Sequence, residues 1–228
     1  NNFVNAGDVV SVTATFSENV LVSGTPQLTL VVGSTPQNAD YASGTGSSAL
    51  VFQYTIQAGE TDSDGISIGA NALALNSSTI KDPAGNDGTL THSAVDNNSS
   101  YKVDNTAPSV DNFTMSDTEL KIGDNATVTL VFSEAVISFS SSADITSPNG
   151  SLSTMSSSDN ITWIGYFTPT DDIEDNSSTL SLTDESYTDL AGNIGAADNE
   201  TANYLVDTLG PSVLSFTMSD RHLQSVDN

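Results

Sequence analysis

The feature that most constrains this chain is an internal repeat. The stretch 6–20 reads like the stretch 122–136, and both contain Phe-Ser-Glu near their ends. The five residues 113–117 return unchanged at 216–220, a spacing of 103 residues. Similarity at a fixed spacing indicates that one structural unit is built more than once along the chain. A unit of about 100 residues is large enough to form its own hydrophobic core.

Apolar and polar residues alternate in the short stretches that repeat. In the stretch 10–16, Val, Val, Ala and Phe are separated by single polar residues, and in the stretch 50–56 large apolar or aromatic residues recur at every second position. A period of two with many Val and Thr residues predicts half-buried β-strands. Clusters of Gly, Asn, Asp and Ser separate these strands, and no stretch has helical periodicity. The sequence therefore predicts an all-β protein, in which each repeat is a sandwich of about seven strands.

The repeat divides the chain into three parts. We expect one domain at residues 1–104, a second at residues 105–207, and the first strand of a further module, or a donor strand, at residues 208–228. The linker 104–108 is short and ends in a proline, so the modules should follow one another as a rod. The first domain should lack its first strand, because residue 1 lies just before the turn at residues 6–8.

The chain is strongly acidic. It has 29 Asp and Glu residues against four Lys and Arg, which gives a formal net charge of −25. This charge excludes a generic binder of nucleic acids or of anionic membranes, because both need positive charge on the protein. The sequence also has no apolar run of 18 residues that could span a membrane.

Three short motifs occur twice in the same order: Phe-Ser-Glu at 16–18 and 132–134, Asp-x-Ala-Gly-Asn at 82–86 and 189–193, and a Val-Asp-x linker at 103–108 and 206–211. With these motifs the chain resembles the bacterial immunoglobulin-like (Big-type) repeats of giant surface adhesins and biofilm-associated proteins. The second linker departs from the pattern, because its threonine is displaced. The resemblance implies tandem immunoglobulin-like β-sandwiches in a rod-like array, an extracellular location at the cell surface, a role in adhesion or biofilm cohesion, and calcium near module junctions.

An immunoglobulin-like topology also predicts where the acidic residues meet. Successive loops of such a sandwich alternate between its two poles. The loop after the second strand, the loop before the last strand and the entering linker therefore share a pole at the module junction. This argument predicts a ligand set of Asp104, Glu134, Asp189 and Asn193.

The same argument gives further candidate ligands at the other poles. They are Asp8, Asp62 and Asp64 on the first domain's side of the junction, Glu18, Asp82 and Asn86 at its other pole, and Asp124, Asp171, Asp172 and Asp207 at the far pole of the second domain. Ca²⁺ accepts six to eight oxygen ligands, whereas zinc and copper sites need the thiols and histidines that this chain lacks or has few of. The alternative for the run 62–65 is a solvated turn, because Asp and Gly are ordinary turn residues.

Other functions have less support in the sequence. No nucleophile motif or Cys–His pair occurs, so we expect no enzyme activity. A carbohydrate-binding module is one alternative, although we expect Trp163 to be a core residue and not a sugar platform. Partners should be neighbouring modules or other copies of the chain, and surface glycans or proteins could be bound through other domains. A module without its first strand leaves a groove, so strand donation from residues 213–218 could build a filament between copies, or the same strand could serve a following module in a longer array.

Overall fold

The computed structural model of the chain describes residues 3–195 and 199–218, and it consists almost entirely of β-strands. No helix in the described residues is long and apolar enough to cross a membrane. From residue 3 to residue 104 the structure describes eight strands: β1 (Phe3–Val4), β2 (Val9–Ser23), β3 (Gln27–Val32), β4 (Thr35–Ser43), β5 (Ser47–Thr55), β6 (Leu73–Ala74), β7 (Thr79–Lys81) and β8 (Lys102–Val103).

The first module is built around a six-stranded sheet in the order β6-β3-β4-β5-β2-β7. β2 pairs with β5 over residues 9–15 and, after a register shift, again at Val20. It pairs with β7 over residues 21–23. The short strands β1 and β8 pair in parallel, which joins the beginning of the module to its end. Alternate residues of β3 and β5 point into the core, where Leu30, Leu50 and Phe52 have no exposed surface.

The described residues of the second half form twelve strands and one helical turn. They are β9 (Val110–Met115), β10 (Glu119–Leu120), β11 (Ala126–Phe132), β12 (Val136–Ile137), α1 (Ser141–Asp144), β13 (Ile145–Thr146), β14 (Gly150–Leu152), β15 (Thr162–Pro169), β16 (Glu174–Ser178), β17 (Ser181–Leu182), β18 (Thr188–Asp189), β19 (Asn199–Glu200) and β20 (Tyr204–Asp207).

The second module is a sandwich of two layers. One layer has the strand order β14-β15-β11-β9, and the other combines β10-β20-β16, β13-β17-β19 and the pair β12-β18. Between the layers, Phe132 packs against Tyr187 with ring centroids 4.6 Å apart, and Phe167 packs against Tyr204 at 5.2 Å. The buried residues form two separate clusters, one between residues 10 and 103 and the other between residues 113 and 206. The chain is therefore a tandem of two immunoglobulin-like β-sandwiches.

The two modules differ at one edge of the sheet. In the second module β9 pairs with one edge of β11, and β15 pairs with the other. β2 is the counterpart of β11 through the repeated sequence, and it has β5 on one edge. Along residues 9–15, no strand of the described chain pairs with its other edge. The core behind this edge is accordingly less well covered in the first module than in the second.

The chain continues past β20 without joining either sandwich. Residues 209–218 belong to no strand and are exposed, and Leu214, Phe216 and Met218 each keep more than nine-tenths of their surface accessible. The expectation of a further first strand at residues 208–228 falls partly on this extension. Residues 219–228 lie outside the described residues.

Candidate cation site at the module junction

The linker between the modules supplies the first acidic residue of the site. Asp104 follows β8, and its backbone N–H donates to the carbonyl of Val4 (3.0 Å), which anchors it to the first module. Its Oδ1 accepts a hydrogen bond from the N–H of Thr106 (3.0 Å), a local turn that Asp favours. Pro108, which follows closely, is buried. The linker therefore holds the Asp104 side chain against the second module.

The second acidic residue lies in the Asp-x-Ala-Gly-Asn turn. β18 ends at Asp189, whose Oδ1 accepts hydrogen bonds from the N–H groups of Gly192 (2.7 Å) and Asn193 (2.9 Å). Gly192 has a φ of +96°, a conformation that a residue with a Cβ adopts only at a cost, which explains the glycine of the motif. Asp189 is 1% exposed. The turn thus presents a buried carboxylate in one fixed orientation.

Glu134 completes a cluster of three carboxylates. It follows β11, and one oxygen each from Asp104, Glu134 and Asp189 lie within 4.8 Å of one another. Among the described residues, no Lys, Arg or His forms an ion pair with any of the three. Partial burial raises the pKa of Glu134, and the nearby charges of Asp104 and Asp189 raise it further. The protein alone leaves this negative charge uncompensated.

Asn193 connects the cluster to the rest of the junction. Its Nδ2 lies within 2.7 Å of Asp189 Oδ2, 2.9 Å of the Asp104 carbonyl and 3.2 Å of the Thr106 carbonyl. Its Oδ1 accepts a hydrogen bond from Nδ2 of Asn5 in the first module (3.2 Å). Asn193 therefore holds the linker and both modules together through its amide group.

Two further asparagines at the junction were not identified from the sequence. Asn5 contacts Asn193 as described, and Nδ2 of Asn105 donates to the carbonyls of Glu60 (2.7 Å) and Gln57 (3.2 Å). The repeat gave no signal for Asn5, because its counterpart in the second module is Lys121. For Asn105 the available signal was its place in the linker directly after Asp104.

The pole at the other end of the first module contains the same turn without the cluster. Asp82 accepts hydrogen bonds from the N–H (2.8 Å) and Nδ2 (2.7 Å) of Asn86, as Asp189 does from Asn193. These bonds lower the pKa of Asp82. Glu18 and Asn86 are exposed. Glu18 occupies the position in the repeat that corresponds to Glu134. Within the described residues, neither Asp82 nor Glu18 belongs to a cluster of three possible ligands.

The acidic residues expected on the first domain's side of the junction lie outside the cluster. Asp62 is 3% exposed and accepts hydrogen bonds from the N–H groups of Gly33 and Gly65, both at 2.7 Å. Asp64 accepts a hydrogen bond from the Asn97 side chain, and Asp8 from the N–H of Asn5 (3.0 Å). These oxygens accept hydrogen bonds within the first module, and Asp62 is buried, whereas the alternative for the run 62–65 was a solvated turn.

The candidates at the far pole of the second module are not brought together either. Asp124 accepts hydrogen bonds from the backbone N–H of Lys121 (2.9 Å) and forms an ion pair with its Nζ (3.3 Å), and the backbone bond does most to lower its pKa. Asp171 and Asp172 are exposed in a turn, and Asp207 lies opposite Glu174 in the β16–β20 pair. None of these residues belongs to a cluster of three possible ligands in the described part of the chain.

Trp163, the side chain considered as a sugar platform, packs against the core of the second module. Its ring meets Phe139 edge to face at a centroid distance of 4.9 Å. Its Nε1 donates to the carbonyl of Asn160 (3.3 Å). Trp163 is partly buried and packs against the core cluster of the second module, as expected of a core residue.

Comparison with known proteins finds a family that matches the second module. A family described as "Bacterial Ig-like domain" matches residues 104–206. Among solved structures, the I9–I11 tandem of titin matches with a TM-score of 0.37 and 10% identity, and the I67–I69 fragment of titin with 0.31 and 8%. Both matches cover 91% of this chain and 62% of the titin chain, so the chain spans less than two thirds of their length. No curated protein sequence matches the chain.

Proposed function

Because residues 104–206 are a bacterial immunoglobulin-like domain, we propose that this chain is a non-catalytic structural repeat of a bacterial cell-surface adhesin. In this role it is an extracellular spacer for adhesion or biofilm cohesion, and calcium stiffens the junction between its modules. The observation that carries the calcium proposal is the cluster of Asp104, Glu134 and Asp189, which lies where the linker meets the second module.

Electrostatic repulsion is the first argument for a cation. Two unit charges 4.8 Å apart repel by about 3–4 kcal/mol at an effective dielectric constant of about 20. The cluster contains three such charges when all are ionised, and the pKa of Glu134 is raised first by partial burial and then by this repulsion. A divalent cation would replace repulsion by attraction, so its binding favours the folded and docked state.

The chemistry of the ligands favours Ca²⁺ in particular. All three groups are carboxylates, and Ca²⁺ accepts oxygen ligands in flexible geometry. The ligands come from the linker and from two loops of the second module, so one ion would tie the linker to that module. The Asn5–Asn193 hydrogen bond continues the connection to the first module. Calcium would therefore reduce bending at this junction.

The test is a calcium titration of the 228-residue chain, with Glu134→Gln as the disabling variant. The wild-type melting temperature should rise by roughly 5–10 °C between excess chelator and saturating calcium, as expected for a ligand at about 100 times its Kd. Small-angle scattering should show a longer, less variable particle with calcium. Glu134→Gln should lose most of both responses.

Glu18→Gln is the matched control, because Glu18 is the same residue of the same motif at a pole without the cluster. This variant should respond to calcium like the wild type. An unchanged melting temperature and particle length on chelation, or equal losses in both variants, would remove the calcium mechanism and leave only the structural repeat.

A further inference from the structure

We propose that the outer face of the sheet β14-β15-β11-β9 in the second module is the surface through which two copies of this chain associate side by side. The two sheets meet face to face and are related by a twofold axis, so each copy contributes the same residues. This inference goes beyond the spacer role. It does not depend on calcium, because none of the outward residues of this face belongs to the carboxylate cluster.

The outward positions of this sheet carry no charge. Alternate residues of a strand share a face, and the buried residues Val128, Leu130 and Phe167 identify the inward set. The outward set is Asn112 and Thr114 of β9, Thr127, Thr129 and Val131 of β11, Thr162, Ile164, Tyr166 and Thr168 of β15, and Ser151 of β14. Asp111, the one charged residue in these four strands, lies at the bulge of the edge strand β9. The module therefore has a neutral face in a chain whose net charge is −25.

The centre of the neutral face combines two exposed apolar side chains with threonines. Ile164 is 43% exposed and Tyr166 is 53% exposed. Thr114, Thr129 and Ile164 lie side by side across three strands, and Thr127 lies opposite Tyr166. A threonine side chain presents both a methyl group and a hydroxyl group. A second sheet can therefore pack on this face, as sheets do in sandwiches, without burial of an unpaired charge.

The other outer face of the same module is acidic. Its strands carry exposed carboxylates, and Asp207 lies directly opposite Glu174 in the β16–β20 pair. The exposed acidic residues of these strands are Glu119, Glu174, Glu200 and Asp207. Two copies that approached through this face would bring like charges together, which costs free energy. The difference in charge directs association between copies to the neutral face, whereas a basic partner would bind the acidic one.

The neutral face lies along the side of the module, between its two poles. β15 begins near the junction pole, where the N–H of Val136 donates to the carbonyl of Asn160 (2.9 Å). It ends near the opposite pole, where the hydroxyl of Thr208 donates to the carbonyl of Thr170 (2.8 Å). The chain enters and leaves the module at these poles, so modules that follow one another in a rod leave the side face accessible.

The size of the face predicts a weak contact. Four strands about 4.8 Å apart, with outward residues about 6.8 Å apart along each strand, give a face of about 400 Å². A pair of copies would bury about 800 Å² in total, which is the size of a transient interface and not of a stable dimer. Several such contacts between neighbouring chains with repeated modules would strengthen one another through their effective concentration.

The first test is the association of the 228-residue chain itself, measured in chelator to exclude any effect of calcium. Sedimentation velocity should show a monomer–dimer equilibrium between about 10 µM and about 1 mM protein, as expected for an interface of this size. Raising sodium chloride from about 0.02 M to about 0.5 M should strengthen association several-fold, because salt screens the repulsion between copies and the neutral face has no ion pairs to weaken. A chain that stays monomeric throughout would overturn the proposal.

A charge placed on the neutral face tests the location of the contact. Ile164→Asp and Ile164→Lys should each weaken dimerisation at least tenfold, because the twofold axis brings two like charges together in either variant. The lysine variant is decisive, since it lowers the net negative charge of the chain and would strengthen an association that used another surface. Tyr166→Ser, which removes an exposed side chain from the same face, should weaken dimerisation about threefold or more without introducing a charge.

Ile137 provides the matched control, because it is 41% exposed and lies in β12 of the other layer. Ile137→Asp and Ile137→Lys should dimerise within about threefold of the wild type, since neither places a charge in the contact. Thermal melting of each variant verifies that the modules remain folded. Dimerisation of the Ile164 variants at wild-type strength, or equal losses at Ile164 and Ile137, would overturn the assignment of the contact to the neutral face.

Discussion

Glu134 is the residue whose charge state responds most directly to the junction. Its pKa is raised by partial burial and by Asp104 and Asp189. Without divalent cations, its contribution to stability is therefore greatest below its unfolded-state pKa and is lost as the pH rises through its folded-state pKa. The melting temperature of the wild type in chelator, relative to that of Glu134→Gln, should fall as the pH rises from 4 to 7.

Other carboxylates titrate in the same range, so the difference between the two proteins isolates the contribution of Glu134. With saturating calcium, the wild type should melt at a higher temperature than Glu134→Gln near neutral pH, because the ionised glutamate then binds the cation. The difference in melting temperature thus has the opposite sign to that in chelator. If the difference in melting temperature between the two proteins does not vary with pH in chelator, the charges of Asp104 and Asp189 do not affect Glu134.

Replacing tyrosine by phenylalanine should affect stability differently at two buried positions. The hydroxyl of Tyr187 is buried and has no hydrogen-bond partner among the described residues, whereas the hydroxyl of Tyr204 donates to the Pro148 carbonyl (2.6 Å). Burial raises the pKa of Tyr204 to about 12, so it stays a donor throughout the neutral range. Tyr187→Phe should leave stability unchanged or raise it, while Tyr204→Phe should cost about 1 kcal/mol. Urea denaturation of both variants measures the difference, and an equal loss in both would contradict it.

At the level of the element, the Asp-x-Ala-Gly-Asn turn has the same local bonds in both modules but different surroundings. Asn193→Ala and Asn86→Ala remove equivalent bonds to Asp189 and Asp82. Only Asn193 also binds the linker carbonyls and Asn5. Asn193→Ala should therefore widen the distribution of inter-module angles in small-angle scattering, and Asn86→Ala should leave it unchanged. Similar scattering from both variants would mean that the amide does not hold the junction.

The sequence predicted elements better than individual contacts. Alternation located the strands at 10–16 and 50–56, because a half-buried sheet requires a period of two. The immunoglobulin-like topology placed Glu134 and Asp189 at one pole of the sandwich, because successive loops alternate between the two poles. The spacing could not distinguish the role of Asp62 from that of Asp189, since both lie in glycine-containing turns. Asp62 binds N–H groups within its own module, whereas Asp189 also faces Glu134 and Asp104. That difference depends on the distance between loops far apart in sequence.

The parallel pairs β1–β8 and β10–β20 determine how each module responds to mechanical tension. In both pairs, a segment near the start of the module lies alongside one at its end, and the two run in the same direction. A pull on the two ends therefore slides the paired segments past each other and strains their hydrogen bonds together, not one after another from a free end. Simultaneous loading makes a module hard to extend.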